Sequence, residues 1–158
     1  MPFCARRVKE EPAVGTWSPY VLRFSESHIW VHVDDERKDV LTLGLTDFGQ
    51  RGLGDILSVR LPKVGDTVSK GVAAGWIDSY RKAFDIVSPV TGEVVEINEA
   101  LLQEPAKINA YPYAHSGVLK VRATTAGERG SLMSFHAYAD LVRRLQQYDE
   151  WSQDLRTL

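Results

Sequence analysis

The sequence predicts a mainly β protein, an antiparallel sandwich or barrel with a helix at its C-terminal end. Strand-like apolar stretches recur between residues 21 and 122, at a spacing of about 8–12 residues that is typical of such folds. Turns at Gly65, Gly71 and Gly92 separate some of them, because glycine supplies the positive φ of a tight turn. After Gly130 the apolar spacing changes to the helical period.

The first predicted elements are a hairpin and a short helix. Residues 28–33 and 40–45 are mostly apolar, β-branched or aromatic, and a charged turn joins them. Thr46-Asp47 then provides an N-cap for a helix that ends at Gly54. These elements form the predicted N-terminal part of the sheet region.

The rest of the chain predicts more short strands, a helical turn and a long helix. Ser134 is a candidate N-cap for the last helix, which presents one apolar face. The members of that face are Tyr138, Leu141, Val142 and Leu145. The strands are expected at 56–61, 72–77, 86–87 with 90, 94–97 and 118–122, and the helical turn at 98–103.

Composition divides the chain into three predicted units. Residues 1–19 contain three prolines, a cluster of charge and no apolar alternation, so we expect a flexible N-terminal segment. Residues 20–130 form the predicted β domain. Residues 131–158 are expected to be a helical extension that packs on it.

Charge and cysteine content exclude several classes of protein. With 19 Lys and Arg, 21 Asp and Glu and a net charge of −2, the chain lacks the basic face of a nucleic-acid binder. The single Cys4 excludes a disulfide framework. No apolar run approaches the roughly 18 residues of a membrane span, and the start lacks the apolar core of a secretory signal. The sequence therefore predicts a cytoplasmic protein.

Histidines and tryptophans provide no catalytic or metal site. His28 and His32 are expected on one strand face, but residues four apart on a strand are too distant to share a metal ion. We expect structural or solvated histidines and no metal. Trp30 and Trp76 are expected in the core. No set of residues indicates an enzyme.

The region around residues 64–97 carries a more specific pattern. Residues 64–71 precede one strand and residues 89–97 follow another, with Asp78-Ser79-Tyr80-Arg81-Lys82 between them. This arrangement resembles the biotinyl/lipoyl-carrier fold, in which a hairpin between two similar halves presents one lysine for acylation.

Residues 20–148 resemble more closely the H protein of the glycine cleavage system. The stretches that carry the resemblance are 27–31 (SHIWV), 44–50 (GLTDFGQ), 53–56 (LGDI), 61–65 (LPKVG), 88–101 (SPVTGEVVEINEAL) and Pro112-Tyr113. The family implies a barrel-sandwich hybrid of two antiparallel sheets with short helices and no activity of its own. Its lipoyl arm carries an aminomethyl group from a decarboxylase to an aminomethyltransferase, and dihydrolipoyl dehydrogenase reoxidises the arm.

The chain departs from the family at the attachment point. Aligned without a gap, the lipoyl lysine of the family corresponds to Arg81. An arginine guanidinium stays protonated, with a pKa above about 12, and is a poor acyl acceptor. Lys82 has the required amine, but neighbouring residues of a strand or hairpin point in different directions. We therefore expect no lipoate, unless Lys82 is modified.

A second departure concerns the cleft in which the family rests its loaded arm. The resemblance places Ser27, residue 29 and Asp85 beside that cleft, together with the hairpin residues Asp78, Ser79 and Tyr80. The family has a glutamate where this chain has Ile29, and isoleucine cannot pair with the aminomethyl cation.

Two hypotheses follow. In the first, the protein is an interaction module that docks with glycine-cleavage enzymes or with the enzyme that attaches lipoate. In the second, it is a working group carrier lipoylated at Lys82.

Overall fold

The protein, described here as a computed structural model, is defined over residues 15–157, with side chains defined to residue 147. Within this range nine strands form two antiparallel sheets. The strands are β1 Arg23–Phe24, β2 Ile29–Val33, β3 Val40–Leu45, β4 Ile56–Arg60, β5 Thr67–Val68, β6 Ala73–Ser79, β7 Ala83–Val87, β8 Gly92–Ile97 and β9 Leu119–Ala123. The predicted mainly β class with two antiparallel sheets is confirmed.

The two sheets differ in size and connection. The larger sheet has the strand order β1-β2-β3-β9-β8-β5, and the smaller has the order β4-β6-β7. Strands β6 and β7 form a hairpin within the smaller sheet. The turn of this hairpin contains Arg81, which corresponds to the lipoyl lysine of the family. The two-residue strands β1 and β5 were not predicted, because two residues are too few to show an alternating pattern.

Four helices accompany the sheets in the described range. They are α1 Asp47–Leu53, α2 Ala100–Gln103, α3 Lys107–Ala110 and α4 Phe135–Thr157, and two 3-10 turns span Pro19–Val21 and Ala126–Ser131. The predicted cap of α1 is confirmed, since Thr46 Oγ1 accepts a hydrogen bond of 3.1 Å from the Gly49 N–H. The cap of α4 is confirmed too, with Ser134 Oγ accepting from the Ala137 N–H at 3.3 Å.

The main core lies between the two sheets. All six residues of β3 are buried, and its three leucines, at positions 41, 43 and 45, belong to a cluster with Ile29, Ile77 and Ile86 among others. Trp76 is not part of this core, contrary to the sequence-based expectation. It is 43% exposed on β6, and the Arg60 guanidinium lies 5.2 Å from its ring centre. The alternation of β6 places Trp76 on the outer face because Gly75 and Ile77 face inward.

A second, smaller core lies under α4. It contains Leu22, Phe24, Trp30 and Tyr138, all buried. The Trp30 indole N–H donates to the carbonyl of Pro112 at 2.8 Å, so the expectation that Trp30 belongs to the core is confirmed. The indole ring also needs a glycine opposite it, because a Cβ on residue 44 would lie 2.3 Å from the ring.

The predicted N-terminal segment falls only partly within the described residues. Residues 1–14 lie outside them. From Gly15 onwards the chain pairs with a loop before β9, since the Gly15 carbonyl accepts from the His115 N–H and the Trp17 N–H donates to the Tyr113 carbonyl, both at 2.8 Å. The proposed division at residues 19 and 130 stays a prediction.

Candidate functional site

The apex of the β6–β7 hairpin is built by a compact set of hydrogen bonds. The Ser79 N–H donates to the Lys82 carbonyl at 3.0 Å. The Ser79 hydroxyl donates to the same carbonyl at 2.6 Å and accepts from the Lys82 N–H at 3.1 Å. Tyr80 and Arg81 are therefore the two central residues of a closed turn. None of these bonds uses the side chain of residue 81.

The apex is held against the end of α1. The Tyr80 N–H donates to the Asp55 carbonyl at 2.8 Å, while the Tyr80 side chain is 80% exposed. The side chain of Arg81 lies along Gly54, where an added Cβ would be 3.5 Å from Nε of the arginine. Arg81 and Lys82 are both exposed. Neither has an ion pair within 4.0 Å among the residues described.

Asn109 on α3 fixes the segment of α1 that supports the apex. Its amide donates to the Gly54 carbonyl at 3.0 Å and to Gln50 Oε1 at 2.8 Å. Its carbonyl oxygen accepts from the Ile56 N–H at 3.0 Å. Sequence reasoning did not identify this role, because the partners lie more than 50 residues earlier in the chain.

His28 lies in the turn between β1 and β2 and not within a strand, so the expected shared face with His32 is wrong. Its φ is 66°, which ends the regular strand before Ile29. His28 Nδ1 lies 2.8 Å from the Tyr138 hydroxyl, and that hydroxyl lies 2.7 Å from Thr46 Oγ1. Burial lowers the pKa of His28, and the positive charge of Lys82 lowers it further.

The site residues that the family resemblance grouped differ in their exposure to solvent. Asp78 and Asp85 are exposed on the smaller sheet, where Asp78 accepts from the Ser58 hydroxyl at 3.0 Å and Asp85 lies opposite Trp76. Ile29 is only 1% exposed and belongs to the main core, so it does not present a side chain at the surface.

Ser27 lines a cleft of about 300 Å³ at the base of the hairpin. Its other walls include Lys70, Val87 and Ser88, and its lining contains neither Arg81 nor Lys82. The apex and this cleft are therefore separate places on the described surface. Among the residues that the structure defines, no three His, Cys, Asp or Glu side chains converge as metal ligands.

The chain matches a known protein family over most of its length. The family model for the glycine cleavage H-protein matches residues 22–145. The chain belongs to the glycine cleavage H-protein family. The glycine cleavage system H protein of Marinobacter nauticus is 44% identical over 124 residues, which are 78% of this chain and 94% of that protein.

Other relatives of this chain agree in sequence and in structure. The mitochondrial glycine cleavage system H protein 2 of Arabidopsis thaliana is 41% identical over 75% of this chain and 74% of that protein. A crystal structure of a glycine cleavage system H protein from Mycobacterium marinum superposes with a TM-score of 0.71 at 30% identity, covering 78% of this chain and 98% of that one. The fold is the barrel-sandwich of the H-protein family.

The family consists of lipoate carriers and protein-interaction modules and not of enzymes. Proteins of the H-protein family carry covalently attached lipoate and interact with the glycine-cleavage enzymes. In the described range, no helix has the length and apolar character needed to cross a membrane.

Proposed function

We propose that this H-protein relative is an interaction module that does not carry lipoate at the usual position. The observation that carries the proposal is Arg81 at the centre of the hairpin turn, exposed and followed by Lys82. Lipoylation forms an amide with a neutral primary amine, whereas a guanidinium remains charged and is a poor acyl acceptor. The residue at the apex does not fit covalent lipoate.

The position of Lys82 in the turn also supports a protein that carries no lipoate. Its N–H and carbonyl close the turn with Ser79, so its side chain leaves from the end of the turn and not from the centre. An attachment enzyme that recognises the apex meets Tyr80 and Arg81 first. The runner-up function, a group carrier lipoylated at Lys82, is favoured by the exposed amine of that residue.

The partners that we propose are those of the family. They are the decarboxylase, the aminomethyltransferase and the dihydrolipoyl dehydrogenase of glycine cleavage, or the enzyme that attaches lipoate. The exposed Tyr80-Arg81-Lys82 apex provides an aromatic ring and two cations for an acidic surface on one of them. A cytoplasmic location is part of the proposal, and it agrees with a chain whose single cysteine cannot form an internal disulfide.

Intact-mass measurement after co-expression with a lipoate-attachment enzyme tests the proposal. We expect the unmodified mass for the wild-type chain. The Arg81→Lys variant, which restores an amine at the apex, is expected to gain one lipoyl group and serves as the positive control. If the wild-type chain gains the mass of a lipoyl group and the Lys82→Ala variant does not, the protein is a carrier lipoylated at Lys82 and the proposed interaction module is wrong.

A further inference from the structure

The hydroxyl of Tyr138 joins helix α4 to the rest of the domain. His28 and Thr46 are held together without the helix, because the Thr46 N–H donates to the His28 carbonyl at 3.0 Å. The Tyr138 hydroxyl contacts both of their side chains, at 2.8 Å from His28 Nδ1 and 2.7 Å from Thr46 Oγ1. Across residues 15–147, the structure shows no other side-chain hydrogen bond from α4 to the remainder of the domain.

The order of donors and acceptors in this group follows from Thr46. Its side chain is fully buried, and its oxygen accepts from the Gly49 N–H. The hydroxyl proton of Thr46 therefore needs an acceptor, which the Tyr138 oxygen provides. Tyr138 then donates its own proton to His28 Nδ1. Since a neutral imidazole has one N–H, the group fits a neutral His28 that carries its proton on Nε2.

A protonated His28 does not fit the same group. Both ring nitrogens of an imidazolium are donors, so Nδ1–H would donate to Tyr138 and Tyr138 would donate to Thr46. The Thr46 proton would then be buried without an acceptor, which is unfavourable. Tyr138 cannot remove this conflict by losing its proton, because burial raises the pKa of its hydroxyl well above the ordinary value.

The surrounding charges also favour the neutral imidazole. Burial lowers the pKa of His28, and the positive charge of Lys82 on the hairpin lowers it further. Asp47 at the start of α1 and Tyr113 in the loop before β9 act on Tyr138, whose pKa both of them raise. The elements packed around the group therefore keep the tyrosine protonated and the histidine uncharged while α4 is in place.

We propose that His28, Tyr138 and Thr46 form a proton-sensitive latch that holds α4 on the domain while His28 is neutral and releases it when His28 is protonated. The stacking of Tyr138 on Phe24, with ring centres 4.7 Å apart, remains available in both states. Protonation thus shifts the population of the released helix. This inference goes beyond the proposed interaction module and does not depend on it.

Hydrogen exchange of the full chain at pH 7.5 and 5.5 tests the latch. A helix released from its packing surface is only marginally stable, so its amides exchange. After correction for intrinsic exchange rates, the amides of residues 141–145 in α4 are expected to open more often than those of β3. Their opening is expected to increase up to about tenfold between the two pH values, the limit for a released histidine with a pKa of about 6.5.

Two histidine variants identify the group that titrates. His28→Asn removes the titration and retains the left-handed φ of 66°, which asparagine adopts more readily than most residues. The increase in α4 opening at pH 5.5 is expected to disappear in this variant. The matched control His136→Asn changes an exposed histidine of α4 itself and is expected to leave the increase unchanged.

A tyrosine variant separates the hydrogen-bonded group from burial alone. Tyr138→Phe keeps the ring on Phe24 and removes the hydroxyl, so α4 is expected to open more often already at pH 7.5 and to respond less to acidification. Tyr20→Phe is the matched control. Its ring lies 4.9 Å from that of Phe135 on α4 and is 68% exposed, so loss of this hydroxyl is expected to have no effect.

Three results would overturn the latch. They are equal opening of α4 and β3 at both pH values, an equal increase in the wild type and in His28→Asn, and ¹⁵N shifts that place the His28 proton on Nδ1 at pH 7.5. None of these measurements uses lipoate or a partner protein. The latch can therefore fail while the mass measurement supports a non-lipoylated module, and the reverse outcome is equally distinguishable.

Discussion

Strand β3 and the apex of the β6–β7 hairpin differ in their burial and in how strongly a substitution is expected to disturb the fold. Every residue of β3 is buried between neighbours, whereas Tyr80, Arg81 and Lys82 are all exposed. A change of size in β3 leaves a cavity or a clash. A change at the apex alters mainly the chemistry presented to a partner. The difference explains how a family scaffold can persist while the group at its functional tip changes.

The apex keeps its shape without help from the side chain at position 81. Its bonds run through the Ser79 hydroxyl and the main chain of Lys82 and Tyr80. An arginine at the centre can therefore occupy the same turn as a lysine. We infer that Arg81 changes the chemistry of the apex and leaves its geometry intact.

The largest expected effect compares the buried interior with the outer face of the β6–β7 hairpin, through one tryptophan in each. Trp30→Ala removes a fully buried ring and its bond to the Pro112 carbonyl, and is expected to lower the free energy of unfolding by about 3–5 kcal/mol. The matched variant Trp76→Ala removes a 43% exposed ring and is expected to cost about 1 kcal/mol or less. Urea denaturation measures both. Similar losses of unfolding free energy in the two variants would contradict the expectation that the interior tolerates substitution less well than the outer face of the hairpin.

Asn109→Ala tests the junction between the interior and the apex. It leaves the Ile56 N–H and the Gly54 carbonyl without their partner, and we expect a loss of about 2 kcal/mol in unfolding free energy. Hydrogen exchange of the Tyr80 amide, which bonds to Asp55, is expected to accelerate more than exchange in β3. Uniform acceleration would mean that Asn109 stabilises the whole domain and not the apex in particular.

The sequence predicted the longer strands and the two capped helices, because local patterns encode them, whereas the hairpin at residues 78–82 was implied by the family resemblance. It did not predict Trp76 correctly, since an aromatic residue on a strand is compatible with either face of the sheet. It also could not predict the bonds of Tyr138, which join residues 92 and 110 positions apart. Contacts of that separation depend on the tertiary fold and leave no local pattern.

The free energy of unfolding is expected to depend on pH through His28. Because the folded-state pKa is lowered by burial and by Lys82, the unfolded chain takes up a proton first as the pH falls. Stability is therefore expected to decrease as the pH falls below the ordinary histidine pKa of about 6.5. Burial also lowers the pKa of His32, so part of the decrease belongs to that residue.

Lys82→Gln isolates the electrostatic contribution of the apex. It removes the smaller cause of the His28 shift and leaves burial in place, so the loss of unfolding free energy between pH 7.5 and 5.5 is expected to shrink. Urea titrations at the two pH values measure it, with Lys63→Gln as the control. An identical loss in Lys82→Gln and in the wild type would show that the apex does not act on His28.

The smallest expected effect is that of Arg81→Ala. The arginine side chain is exposed and contributes none of the hydrogen bonds that close the turn, so the free energy of unfolding is expected to change by about 0.5 kcal/mol or less. A loss well above 1 kcal/mol would mean that packing along Gly54 makes Arg81 a structural residue. Arginine would then have been retained for stability, and its presence at the apex would say nothing about the chemistry offered to a partner.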